Sequence, residues 1–253
     1  MVSLKTVTEI QKMQKACQIA GGALNLAGRS IKPGMTTKEI DDIITRYIVS
    51  KGAKPSFLGY GGFPASACIS INDEVIHGIP GSRKVQEGDI VSIDVGAYYD
   101  GYHGDNAATF AVGEISPEAQ QLLDVTKQCL YRAIEVAKPG ARIGDIAYAV
   151  QSYAESFGYG VVKKYVGHGI GRNLHESPEV PNFGKEGRGV RLLPGMTLAI
   201  EPMINLVGED VKVLSDGWTV KTVSGSVSAH FEHTIAITND GCVVLTNWEE
   251  KSC

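Results

Sequence analysis

Apolar residues recur at helical intervals from Thr8 to about Arg29 (Ile10, Met13, Cys17, Ile19, Ala20, Leu24, Leu26), which predicts a long helix weakened at Gly21-Gly22. A second helix is predicted after Thr36: Thr36 and Glu39 have the spacing of a capping box, Ile40, Ile43, Ile44 and Ile48 keep the period, and Gly52 is the stop. From Phe57 to Val112 the period changes. Short apolar runs, Cys68–Ile71, Ile90–Val95 and Ala107–Val112, alternate with Gly, Pro and Asp/Asn clusters and read as strands and turns. The pattern then starts again. Ser116 and Pro117 open a helix to about Lys138, another covers about Ile143 to Phe157, and Val161 to Asn247 reads as strand and turn.

Helix, helix, strands therefore occurs twice, in halves of about 1–113 and 114–253. Lys32-Pro33-Gly34 followed by Glu39-Ile40 is matched by Lys138-Pro139-Gly140 followed by Asp145-Ile146 at the same spacing. His77-Gly78-Ile79 has a sequence counterpart in His168-Gly169-Ile170, and Gly88 to Ile93-Asp94 has one in Gly195 to Ile200-Glu201. Any one of these recurs easily by chance in a Gly-rich chain; three in one order indicate a diverged duplication. Two such halves facing each other across a pseudo-two-fold axis would bring a His and an acidic strand residue from each to one central cleft.

Composition sets bounds on this picture. With 253 residues and 43% hydrophobic content, the chain can bury a substantial core, read here as one catalytic domain spanning 1–253. A net charge of −4 and no run of Lys or Arg give no electrostatic footprint for nucleic acid. No apolar stretch approaches the roughly 20 residues of a membrane span, and Met1 to Gln14 lacks the uninterrupted apolar region of a signal peptide. A cytoplasmic location is the expectation. Cys17, Cys68, Cys129, Cys242 and Cys253 form no C-x-x-C pair and are read as free thiols.

The chemistry follows from the acids that end apolar strands. Asp94 and Asp105 flank a glycine-containing segment, Glu201 leaves the run Met196 to Ile200, and Glu232 lies between Phe231 and His233. A carboxylate emerging from an apolar strand is costly to desolvate unless a cation or donor meets it. His168, in Gly167-His168-Gly169-Ile170-Gly171, is the natural fifth member. Four carboxylates and one imidazole are too oxygen-rich for a closed structural zinc site and too few for two calcium shells, but they suit a pair of divalent transition ions. Taken singly, each acid reads first as an ordinary turn or cap residue, and the duplicate placement of Asp94 and Glu201 is what favours the metal reading. His77 and His175 stand outside this set. Imidazoles beside a metal pair can hydrogen-bond a scissile amide or an oxyanion, and either one alone reads equally well as a packed or surface histidine.

These segments resemble the type I methionine aminopeptidases. The resemblance spans nearly the whole chain and is densest at Phe63-Pro64 through Asn72, His77-Gly78-Ile79-Pro80, Asp94 to Asp105, Gly167 to Gly171 with His175-Glu176, Glu201-Pro202-Met203 and Phe231-Glu232-His233-Thr234. It implies an α/β (α+β) pita-bread fold. It also implies that Asp94, Asp105, His168, Glu201 and Glu232 ligate two divalent ions (Mn, Fe, Co or Zn), Asp105 and Glu232 bridging both. In that picture a metal-activated hydroxide attacks the carbonyl of an N-terminal methionine. Glu201 shuttles the proton, His175 polarises the carbonyl, and His77 meets the scissile nitrogen. Tyr60, Phe63, Cys68 and Trp218 would form the methionine pocket, with a small residue preferred after it.

The resemblance further implies a short bacterial form acting on nascent polypeptides as a monomer, with transient ribosome association. Phe57 and Leu174 depart from residues found in some members, cysteine and phenylalanine respectively, which bears on pocket width. A proline-directed aminopeptidase of the same fold, or a non-catalytic pita-bread binding module, is the alternative reading.

Overall fold

A computed structural model describes residues 2–247. Helix α1 (Val7–Ser30) and helix α2 (Thr37–Ser50) open the chain, each started by a full capping box, Thr6 with Glu9 and Thr36 with Glu39. Gly21 and Gly22 do not interrupt α1. A β-carbon on Gly22 would stand 2.1 Å from the Tyr47 hydroxyl, so the missing side chain lets α2 approach α1, which offsets the helix-propensity cost.

Strand β1 (Ala67–Ile71) pairs antiparallel with β2 (Ile90–Tyr99), and β2 turns directly into β3 (Tyr102–Ala111). Both strands run further toward the turn than apolar content alone predicts. The reason is Asp100-Gly101, with φ of 47° and 87°, the two left-handed residues of a tight hairpin whose twist matches the strands. The pattern of the first half then recurs. Helices α3 (Pro117–Val136) and α4 (Ile143–Ser156) precede β4 (Gly167–Gly169), β5 (Glu176–Val180), β6 (Thr197–Ile200) and β7 (Glu232–Ile237).

The central sheet has nine strands, in the order Lys54–Pro55, β2, β3, β7, β6, β4, β5, with β1 also on β2 and Cys242–Val244 also on β7. The duplication is visible in backbone detail. Gly34 N–H donates to Val85 O at 2.8 Å and Gly140 N–H to Leu192 O at 2.9 Å, while Val85 and Leu192 N–H return bonds to Met35 and Ala141. Glu39 accepts from Thr36 N–H and Asp145 from Arg142 N–H, each at 2.7 Å. Thr36 bridges Lys84 as Arg142 bridges Arg191.

One sequence match is not a structural equivalence. His168 pairs with Ala199 in β6, whose first-half counterpart is Ser92, and Ser92 pairs with Ser70. His168 therefore occupies the place of Ser70, and His77 lies outside that strand.

The helices cover one face of the sheet. Gly104, adjacent to Asp105 and so pointing the other way, has Cys17 of α1 against it, and the ring of His233, adjacent to Glu232, lies 6.1 Å from that of Tyr131 on α3. The main core fills this interface with Ile19, Leu24, Ile40, Ile93, Leu122, Leu130 and Ile235. Among the described residues, no helix is long and apolar enough to cross a membrane. Cys17, Cys68, Cys129 and Cys242 are free thiols, and Cys253 lies outside the described residues.

A β-carbon at Gly104 would meet the backbone nitrogen of Cys17 at 2.5 Å, with no flexible group to yield. Gly104→Ala should cost about 1–3 kcal/mol by overpacking, read as a lower urea midpoint; an unchanged midpoint would show that α1 does not sit this tightly on β3.

Candidate metal centre and its cavity

Sheet register brings the acidic residues together. Asp94 pairs with Ala107, and Ala107 with Glu232, so Asp94 and Glu232 project from one rung on the face away from the helices, with Asp105 two residues along β3 beside them. On the far side of β7, His233 pairs with Ile200, which carries Glu201 alongside Glu232, and Ala199 pairs with His168. Each of these residues comes from a different turn of the chain. The antiparallel ladder alone places them on one face.

The distances are short. Ligand atoms of Asp105, His168 and Glu232 all lie within 4.8 Å of one another. His168 Nε2 stands 3.6 Å from Glu201 Oε1 and 3.9 Å from Asp105 Oδ2. Burial and the mutual repulsion of the carboxylates drive Asp94, Glu201 and Glu232 well above the usual carboxylate range, and burial pushes Asp105 up to about 7. Burial holds His168 down to about 3, so it is a neutral imidazole with a free ring nitrogen. Its Nδ1 lies 2.8 Å from Gly169 O, which fixes the Nδ1–H tautomer and leaves Nε2 as the available ligand atom.

Asp94 Oδ1, Asp105 Oδ1 and Glu232 Oε1 are buried without a hydrogen-bond partner. Unsatisfied buried carboxylate oxygens facing one another are what a cation site presents once its cation is set aside. The donor set, four carboxylates and a neutral imidazole, fits hard or borderline divalent ions.

The remaining sequence-predicted residues line the same cavity, of about 230 Å³: Tyr60, Phe63, Cys68, His77, His175 and Trp218. Phe63 and Trp218 meet edge to face at 5.1 Å, and Cys68 pairs across the ladder with Asp94, so the apolar wall adjoins the carboxylates directly. Phe57 and Leu174 also line it. Gly96 accommodates Phe57, since a β-carbon there would stand 2.7 Å from the Phe57 ring. His77 has φ of +59°, a conformation rare outside glycine, and its ring sits T-shaped to those of Tyr165 and Trp218. His175 Nδ1 is 2.7 Å from the Tyr60 hydroxyl, and its ring packs 4.2 Å from that of His168. Burial lowers both, His77 to about 4.

His230 is the site residue that sequence reasoning missed. It is 1% exposed, its Nε2 has no hydrogen-bond partner, and that nitrogen lies 3.8 Å from Glu201 Oε2. It ends the strand Ser228–His230 two residues before Glu232 opens β7, and no local motif marks it in the sequence.

The chain matches Metallopeptidase family M24 over residues 11–239. It is 52% identical over 247 residues to a methionine aminopeptidase of Clostridium acetobutylicum, covering 97% of this chain and 99% of that one. The crystal structure of methionine aminopeptidase from Thermotoga maritima superposes with a TM-score of 0.96 at 47% identity, over 98% of this chain and 100% of that one. Prolidase from Pyrococcus furiosus shares the fold at TM-score 0.79 and 26% identity, over 98% of this chain but 66% of the longer one. The architecture is the pita-bread fold.

Adding Mn²⁺ to chelator-treated protein at about 100 times its Kd should raise unfolding stability by about 2.7 kcal/mol, seen as an upward shift in Tm. An unmoved Tm would mean that the carboxylates settle their repulsion by sharing protons instead.

Proposed function

Metallopeptidase family M24 is the family to which this chain belongs, and from that premise we infer how its cavity performs the family's chemistry here. The chain is a metallo-exopeptidase that removes N-terminal methionine from peptides. The proline-directed and non-catalytic alternatives are not favoured, because full-length identity near 50% lies with methionine aminopeptidases and every chemically competent side chain is present. The observation that carries the reading is the junction of an apolar, aromatic-walled pocket with a cluster of unsatisfied carboxylates.

In this proposal Asp94, Asp105, His168, Glu201 and Glu232 hold two divalent ions of the Mn, Fe, Co or Zn class. When bound, such ions supply positive charge that acidifies water and polarises a carbonyl. The protein's own groups do the rest. Tyr60, Phe63, Cys68 and Trp218 take the methionine side chain, whose flexible thioether suits aromatic edges. Glu201 accepts a proton from the attacking water and passes it to the leaving amine, the His230 imidazole standing beside its Oε2.

In this reading the Tyr60 hydroxyl, 2.7 Å away, donates to His175 Nδ1, which leaves Nε2–H as the donor for the carbonyl oxygen. Because His175 and His77 are both held neutral, neither repels the incoming cationic amine. His77, fixed in its left-handed backbone conformation, meets the scissile nitrogen. We propose that a small residue is preferred after methionine.

Metal-stripped protein resupplied with Mn²⁺ should release methionine from Met-Ala-Ser and leave Met-Lys-Ser, Ala-Pro-Ser and N-formyl-Met-Ala-Ser intact. Cleavage of Ala-Pro-Ser instead would overturn the assignment. Glu201→Gln should lose turnover while staying folded. His175→Ala should lower kcat about 100-fold or more, the loss typical of one oxyanion donor, with metal content unchanged; wild-type kinetics in that variant would remove its role.

A further inference from the structure

His175 sits on a short loop just before β5 and is itself exposed. Beside it opens a second cavity of about 350 Å³, lined by Ser3, Lys5, His175 and Glu176 among others. What crosses that space is an ion pair. Lys5 Nζ donates to Glu176 Oε2 at 2.6 Å, and the two side chains are only 4% and 11% exposed. Glu176, the residue next to His175, uses its other oxygen to accept the Asn173 N–H at 3.1 Å. The loop is closed further by Gly171 N–H to Asn173 O, and Gly171 O accepts His103 N–H from β3.

The segment that brings Lys5 in is itself pinned. Lys5 N–H donates to Gly195 O at 2.7 Å, just before β6. Gly171 lacks the β-carbon that would stand 2.5 Å from Lys5 Cε and 2.8 Å from Glu176 Oε1, so the lysine stem can pass over the loop. A buried pair of this kind is strongly destabilised when one partner is removed, because the other charge is left uncompensated. The cost would fall on the loop that carries His175.

We propose that Lys5 is a positioning residue for catalysis: through Glu176 it holds loop 171–176 so that His175 faces the scissile carbonyl. The proposal rests on the role given to His175 above. A displacement of that imidazole by about 1 Å is enough to cost roughly 100-fold in rate, whereas the proposed metal ligands lie on paired strands or, for Glu201, directly after β6.

The test compares full-length wild type, Lys5→Met, Lys5→Arg, Glu176→Gln and the Lys5→Met/Glu176→Gln pair on Met-Ala-Ser, with metal content, Tm and a crystal structure of Lys5→Met. The expected result is a kcat lowered about 10- to 100-fold in Lys5→Met, with KM and metal content near wild type. Lys5→Arg should recover most of the rate, and the double variant should be no worse than the poorer single one. A Lys5→Met kcat within about twofold of wild type, a loss that only tracks a lower folded fraction, or additive losses in the double variant would overturn the proposal. Wild type that releases no methionine would instead sink the functional reading, and the crystal structure then decides the positioning claim: a displaced loop 171–176 supports it and an unmoved one ends it.

Discussion

Four carboxylates and a neutral imidazole share one face of a sheet, with oxygens of Asp94, Asp105 and Glu232 buried and unpartnered. Ionised, they repel one another across a few ångströms; neutral, they are poor ligands and leave polar atoms unsatisfied. The nearest imidazoles, His168 and His230, are themselves held uncharged, each down to about 3, by burial and a neighbouring imidazole. The site is therefore built to be completed by positive charge from outside the chain, and the rest of the structure keeps it in that condition.

The sheet does so by register. Rungs that align Asp94, Ala107 and Glu232, and then Ala199 and His168, allow little independent movement of any ligand, because shifting one strand by a residue would turn its acid toward the helices. Glycines at the helix interface, Gly104 above all, seat α1 against the back of β3 and hold that register from behind. The groups proposed to meet substrate are placed differently. His77 and His175 lie in loops, the first with a positive φ and the second hydrogen-bonded to Tyr60 and next in sequence to the Lys5–Glu176 ion pair. Most of the proposed ligands thus lie on paired strands and the two proposed substrate histidines on loops, which divides rigidity from access.

Much of this was legible in the chain. Capping boxes at Thr36–Glu39 and a proline in the first turn after Ser116 mark helix starts because they satisfy local backbone groups within a few residues. Acids ending apolar runs were legible because their desolvation cost is visible without a structure. The ladder was not. Asp100-Gly101 carries the hairpin signal, yet the polar tyrosine- and histidine-containing flanks concealed how far β2 and β3 extend. The His-Gly-Ile recurrence was misleading, since chain order does not reveal that His168 takes the place of Ser70. His230 and Lys5 escaped for the same reason: each faces a residue distant in sequence, Glu201 and Glu176 respectively, and neither sits in a motif of its own.

The most direct test of the central claim is anomalous diffraction from crystals soaked in Mn²⁺, recorded near the manganese edge. The expected result is density for two ions enclosed by Asp94, Asp105, His168, Glu201 and Glu232. An empty cluster, with manganese absent or bound elsewhere, would contradict the claim that these buried carboxylates exist to be met by metal.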